Sequence, residues 1–373
     1  MKYLNWVGYA AIPLAFLAHW LGWGGEWEAV VTFGLAAVGV VPLAHLMGRA
    51  TEELSERTGP TLGGLLNATF GNAAELIIAI IAIGKGLTPI VHASLTGSIL
   101  GNLLLVSGGA MVVGGYDREK QTFSRRAAEA NAGLLVVAVG AMLFPAIFHL
   151  TAQRLNDAEI KGHVLGISVG TSVILLIIYG LGLLFTLKTH AHVFSHGGEK
   201  RSTKKHEGWS VKKAMLVLLG ASVGVAVVAE LLVGSAESMA HRLGWNEVFV
   251  GVILLAIIGN AAEHSTALML ARADDMDTAM TISYQSSVQI ALFVTPALVL
   301  VSWGMEAMGV GHARTLTLVF SPMEVAAVML SVFIIVILAM DGETNWFEGV
   351  LLLGMYAILG IAFFYIPAGH GGR

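Results

Sequence analysis

Apolar runs of about 17–25 residues, the length of a membrane-spanning helix, recur along the chain and are separated by short polar stretches. Eleven spans are predicted, at 5–22, 28–48, 60–83, 87–113, 127–149 and 163–187, then 211–240, 247–271, 276–303, 315–340 and 346–366. A polar, His- and Lys-rich stretch at 188–210 separates the two groups and reads as a linker. The expected fold is an all-α polytopic membrane protein.

Two of these runs carry a carboxylate where a membrane helix normally has none. Gly71-Asn72-Ala73-Ala74-Glu75 lies in span 3, and its near copy Gly259-Asn260-Ala261-Ala262-Glu263 lies in span 8. The acids are 188 residues and five spans apart, so the two helices cross in opposite directions. Spans 2–6 and 7–11 therefore read as two inverted five-helix repeats with span 1 as an extra. That divides the chain into residues 1–25, a first repeat at 26–187, the linker at 188–210 and a second repeat at 211–373. Inverted repeats are a common plan of secondary transporters, with substrate bound at the midplane where the repeats meet. The span after each motif is also polar in kind. Thr96, Ser98 and Asn102 mark span 4, and Ser283, Gln285, Ser286, Ser287 and Gln289 mark span 9, at spacings that share a helix face.

Composition sharpens the class. The 373 residues are 56% hydrophobic and 12% charged, far from a soluble domain. With no Cys, disulfides, thiolate metal sites and cysteine nucleophiles are excluded. The 45 Gly allow close helix packing. The net charge of -4 decides little, and nothing calls for a nucleic-acid partner. Distribution matters more: Arg49, Arg57, Arg118, Lys120, Arg125, Arg126, most of the linker and Arg272 fall on the N-terminal side of the spans. Lys85, Arg154, Lys161, Arg242, Arg314 and Arg373 fall on the other. The positive-inside rule places the N-terminus in the cytoplasm and, after eleven spans, the C-terminus outside a cell membrane.

An ionised carboxylate in hydrocarbon must be protonated, paired or turned to a polar cavity. No Lys or Arg lies in the core of any predicted span, so the partner of Glu75 and Glu263 is expected to be a proton or a bound cation. Two carboxylates with oxygens from Asn72, Asn260, Ser98, Asn102, Ser286 and Gln289 form a hard ligand set. It suits Ca²⁺, with its 6–8 oxygens in flexible geometry, better than Mg²⁺. The same acids would serve proton coupling: loaded with Ca²⁺ or with two protons the pair is neutral, whereas the bare dianion is costly to move. His264 follows Glu263 and points about 100° away on a helix, so it reads as a relay or packing group rather than a ligand. Glu230 and Glu237 in span 7, and Glu324 early in span 10, are further proton-coupling candidates; the structural alternative is carboxylates hydrogen-bonded within the bundle or at its mouths. Acidic Glu52, Glu53, Glu56, Asp274, Asp275 and Asp277 flank the motif spans, either concentrating cations at an entrance or as ordinary solvated charge.

At the paired Gly-Asn-Ala-Ala-Glu segments the chain resembles the calcium/proton exchanger (CAX) family of the cation/calcium antiporter superfamily. Gly63 to Ile78 and Gly251 to Ala267 look like the first helices of its two alpha-repeats. Thr96 to Asn102 and Ser286 to Ile290 look like their partners. Glu263-His264 and the stretch from Ala229 to Glu237 are similar as well. The resemblance implies Ca²⁺/H⁺ antiport by alternating access, with Glu75 and Glu263 as carriers, no enzymatic activity, no cofactor besides the transported Ca²⁺ and H⁺, and a lipid bilayer as surroundings. A homo-oligomer is a further family expectation with no interface legible here. The sodium/calcium exchanger branch usually has a Gly-Thr-Ser-type segment before its acid, so Gly-Asn-Ala-Ala favours protons as counter-ion. A Na⁺-coupled or Mn²⁺ exchanger, a cation channel and a non-transporting scaffold are the alternatives. Where the family often carries an acidic helix between its halves, residues 188–210 are basic and His-rich.

Overall fold

The computed structural model describes residues 2–152, 157–189 and 208–367. Most of the linker, including His190, His192, His196, Lys200, Arg201, Lys204, Lys205 and His206, lies outside these, as do Arg154 and Arg373. The chain is an all-α polytopic membrane protein. Its helices are α1 (Lys2–Leu21), α2 (Glu28–Phe70), α3 (Ala73–Gly84), α4 (Thr88–Gly115), α5 (Arg125–Thr151) and α6 (Asp157–Leu184) in the first half. The second half holds α7 (Val211–Leu243), α8 (Glu247–Gly259), α9 (Ala261–Arg272), α10 (Met276–Ala307), α11 (Pro322–Leu338) and α12 (Trp346–Phe364).

Among the described residues, seven helices are long and apolar enough to cross a membrane, and the bent pair α8–α9 makes an eighth. Shorter apolar helices lie at Trp6–Leu21, α3 and α11. The segments are thus less uniform than the sequence suggests, and α2 shows why. Its 43 residues would reach about 65 Å if straight, twice the hydrocarbon thickness of about 30 Å. A Cβ added at Gly63 would stand 2.2 Å from the Ser55 carbonyl oxygen, although eight residues of straight helix span about 12 Å. The helix is therefore folded sharply between them, where Gly59-Pro60 stand in the sequence and proline removes a donor from the ladder. The polar segment with Glu52, Glu53, Glu56 and Arg57, expected as a loop, is helical up to that bend.

Burial separates frame from centre. The apolar stretch of α4 is 78% buried and that of α10 61%, against 22% for both α6 and α12, which face outward. α2 and α7 pack along one another with α1 against α2, and α4 packs on α8, α9 and α12. Glycine makes two of these crossings possible. A Cβ on Gly97 would lie 2.0 Å from the Val252 carbonyl oxygen, and one on Gly251 2.4 Å from Ala93 Cβ, so α4 and α8 touch backbone to backbone. Gly108 and Gly349 do the same for α4 and α12.

A feature not expected in an all-α fold ties two loops together. β1 (Gln121–Thr122) pairs antiparallel with β2 (Glu343–Thr344), joined by Lys120–Glu343 at 2.7 Å. The Glu343 carboxylate beside Lys120 holds that ammonium above its usual range.

Candidate functional site

Both motifs interrupt a helix, and do so in the same way. Asn72 (φ -103°, ψ 25°) and Asn260 (φ -93°, ψ 8°) sit in the sparsely populated bridge region, a conformation frequent at functional sites. The chain bends 61° between α8 and α9. Each Asn occupies the N-cap position of the following helix, yet neither makes the usual side-chain cap bond. Their amides reach across the molecule instead. Asn72 Nδ2 donates to Gln289 Oε1 at 2.5 Å, and Asn260 Nδ2 donates to Ser98 Oγ at 2.9 Å and to the Ala256 carbonyl. Each motif is thereby tied to the polar helix of the other half.

The acids stand three residues on, in the first turn of α3 and of α9, at helix N-termini whose dipoles favour negative charge. Glu263 Oε2 accepts from Ser286 Oγ at 2.6 Å, and Ser286 Oγ accepts from Asn102 Nδ2 at 3.0 Å. Glu75 packs on the opposite motif: a Cβ on Gly259 would lie 3.5 Å from its Cγ and 3.8 Å from Oε1. The Glu263 carboxylate is close enough to act electrostatically on Glu75. A cavity of about 20 Å³, lined by Glu75, Ser94, Ser98, Leu255, Ile290 and Val294, adjoins Glu75; that is room for about one water or ion.

All eight ligand candidates from the sequence thus gather at one centre. Three of its buried oxygens, Asn72 Oδ1, Asn260 Oδ1 and Glu75 Oε2, have no donor among the described residues, a condition that costs about 1–3 kcal/mol per group. Among the described residues no Lys or Arg answers them. Lys85 and Arg272 stand ten and nine residues along α3 and α9 from the acids, about 15 Å away, and are paired with Glu230 at 2.8 Å and Asp117 at 3.1 Å.

The proton-coupling candidates divide. Glu324 is buried and joins the centre indirectly: its Oε1 accepts from Thr96, two residues before Ser98, while its Oε2 closes a capping box with Ser321. It also forms the floor of a cavity of about 640 Å³ that includes Thr88, His92, His149, Thr315 and Thr317. Glu230 and Glu237 are exposed and not brought to the centre; Glu230 pairs with Lys85, and Glu237 lies near His241 and Glu247. His264 is buried beside Gly101, its Nε2 without a partner. Of the flanking acids, Glu53 accepts from the Trp209 amide, Asp274 pairs with Arg118, Asp275 caps α10 and Asp277 accepts from the Ser124 amide.

Sequence reading missed two features of this centre. α4 and α10 widen into π-helical turns at Gly101–Val106, which holds Asn102, and at Ile290–Val294, directly after Gln289, rare turns that concentrate at functional sites. The offset of 188 that superposes the motifs also superposes Ser98 on Ser286, but it sets Gly101 against Gln289 and Leu76 against His264. The halves are therefore chemically unequal. Asn72 finds Gln289, whereas Asn260, facing the Gly101 side, takes Ser98.

The model of the sodium/calcium exchanger protein family matches residues 28–188 and 213–365. The chain is similar to a Ca(2+)/H(+) antiporter of Synechocystis sp., 44% identical over 369 residues and 95% of each chain. It is 42% identical to a Ca(2+)/H(+) antiporter of Aphanothece halophytica over 368 residues, again 95% of each. Among solved structures, that of the selenium-substituted Ca2+/H+ antiporter protein YfkE matches with a TM-score of 0.80 at 38% identity, covering 98% of this chain and 100% of that one. Matched through both halves by the family model and nearly end to end by its relatives, the chain belongs to the sodium/calcium exchanger protein family.

Proposed function

We propose that this protein exchanges Ca²⁺ for H⁺ across a cell membrane by alternating access, with Glu75 and Glu263 holding either the metal or the protons. The observation that carries the reading is the set of donorless buried oxygens at Asn72, Asn260 and Glu75 beside the Glu263–Ser286–Asn102 chain. A hard cation with 6–8 oxygen ligands suits that set. Without Ca²⁺, two carboxylates sharing so little water favour protons. Metal displaces them, and reorientation is cheap only when the pair is neutralised. The relatives' names support the same substrates.

In this reading eleven helices span the bilayer, one followed by inverted halves at 26–187 and 211–373, with N-terminus cytoplasmic and C-terminus outside. Loop charge supports the orientation, since Arg118, Lys120, Arg125 and Arg272 share one face. The cavity beside Glu324 lies on the opposite face, at the other ends of α4 and α5, and Thr96 links that acid to the turn that carries Ser98.

Na⁺ coupling, Mn²⁺ transport or a channel would each leave a different trace. In proteoliposomes, ⁴⁵Ca²⁺ uptake is expected to follow an imposed pH gradient uphill, to collapse with that gradient and to ignore Na⁺. Uptake sustained by a Na⁺ gradient alone would overturn proton coupling, and purely downhill flux would indicate a channel.

A further inference from the structure

Three metal-ligating side chains converge at the joint between α7 and α8, a helix length of about 20 Å from the bend at Asn260. Glu237 and His241 are exposed and four residues apart on α7, so they stand one above the other on the same face. Glu247 opens α8. One ligand atom from each of the three lies within 4.8 Å of the other two, and both Glu237 and His241 act electrostatically on Glu247. The nearby cations are engaged elsewhere: Lys85 with Glu230, and Arg242 with Glu26 and the ring face of Trp27. Two carboxylates thus stand close together with an imidazole, and among the described residues no Lys or Arg separates them.

The backbone around the cluster is fixed. Gly244, at φ 69°, closes α7 in the left-handed region. Asn246 Oδ1 accepts from the Phe249 amide, and its Nδ2 donates to the Phe363 and Phe364 carbonyls at 2.9 Å, which holds the joint on the end of α12. One imidazole nitrogen with two carboxylate oxygens suits a borderline cation such as Zn²⁺, whereas Ca²⁺ takes oxygens alone. Tetrahedral Zn²⁺ with bonds of about 2.0–2.2 Å sets its ligand atoms about 3.3 Å apart, and water can fill the fourth position. The exposed side chains of Glu237 and His241 close the remaining gap by small rotations.

We propose that Glu237, His241 and Glu247 form a regulatory site for a borderline transition-metal cation, and that its occupation slows transport. α7 belongs to the frame, packed along α2, whereas α8 crosses α4 backbone to backbone and leads to the second motif. Val248, next to Glu247, lines the cavity of about 640 Å³ beside Glu324, so the cluster stands at the rim of that cavity. A metal ion held by both helices locks the start of α8 to the frame. The slowing rests on the alternating-access reading, in which α8 moves against that frame; the site itself does not.

The probe is Zn²⁺, with the tag-free full chain in proteoliposomes and the ion on both sides. Zn²⁺ is expected to lower the maximal rate of Ca²⁺/H⁺ exchange, and raising Ca²⁺ is expected not to restore it. His241→Ala and Glu247→Gln should exchange normally without Zn²⁺. Each should need at least about tenfold more Zn²⁺ for half-inhibition, the low end of what even a supporting group around a metal contributes. Unchanged Zn²⁺ sensitivity in both variants overturns the proposal, as does a wild type indifferent to Zn²⁺. Inhibition that rising Ca²⁺ removes would also overturn it, by placing Zn²⁺ at the central oxygens. Isothermal titration of the purified chain with Zn²⁺ reads the site apart from transport. A binding event lost in His241→Ala supports the site whatever becomes of the Ca²⁺/H⁺ reading, and identical binding in the two proteins removes it.

Discussion

Replacing either central acid by its amide, Glu75→Gln or Glu263→Gln, is expected to abolish Ca²⁺/H⁺ exchange while the protein still inserts and purifies normally. The substitution preserves shape, so packing against Gly259 and the Ser286 contact can persist. What disappears is one of two negative charges and its ability to trade a proton for metal. Losing a charge-assisted ligand costs about 3 kcal/mol, or roughly a hundredfold in affinity. The remaining carboxylate can no longer neutralise a divalent ion alone. Flux below about a hundredth of wild type is expected from each variant by that measure. Near-normal transport in either would remove that residue from the centre. An amide is also tolerated better than a carboxylate by hydrocarbon, so loss of expression is not the expected outcome.

The second large effect is expected at a residue with no chemistry. Gly97→Ala adds a methyl whose carbon would stand 2.0 Å from the Val252 carbonyl oxygen. That neighbour is backbone in a helix and cannot rotate away, so α4 and α8 must separate. Overpacking of this kind costs about 1–3 kcal/mol. Gly97 is adjacent to Ser98, which receives the Asn260 bond, so displacement opens the joint between motif and opposite half. Exchange should fall with thermal stability in detergent, and Gly97→Leu should fare worse. Gly166→Ala, where an added carbon meets nothing within 4 Å, should leave both unchanged. A fully active Gly97→Ala would mean that the crossing is not tight in the working protein.

Much of this centre was legible because the physics that makes it costly also makes it visible. A carboxylate in an apolar run needs a reason, and two copies of Gly-Asn-Ala-Ala-Glu at opposite polarity supply one. Ser98, Asn102, Ser286 and Gln289 stood out for the same reason, as amides and hydroxyls in membrane helices. Periodicity carried less information about breaks. Glu52, Glu53, Glu56 and Arg57 read as loop by polarity, yet a helix accommodates them on an exposed face, and the real bend depends on local backbone geometry near Gly63. Lys85 and Glu230 are 145 residues apart, so their pairing belongs to tertiary structure alone. The inequality of the halves was present in the sequence as Gly101 against Gln289, and aligning the partner helices at the offset of 188 residues would have found it.

That one buried pair holds metal or protons, and never neither while it moves, is tested most directly by counting protons as Ca²⁺ binds. Isothermal titration of the purified protein with Ca²⁺, repeated in buffers of different ionisation enthalpy, reads proton release alongside affinity. Wild type should release protons on binding near neutral pH, and its apparent affinity should weaken as pH falls, because protons compete for the same oxygens. Ca²⁺ binding that releases no protons and keeps one affinity across that range would contradict it.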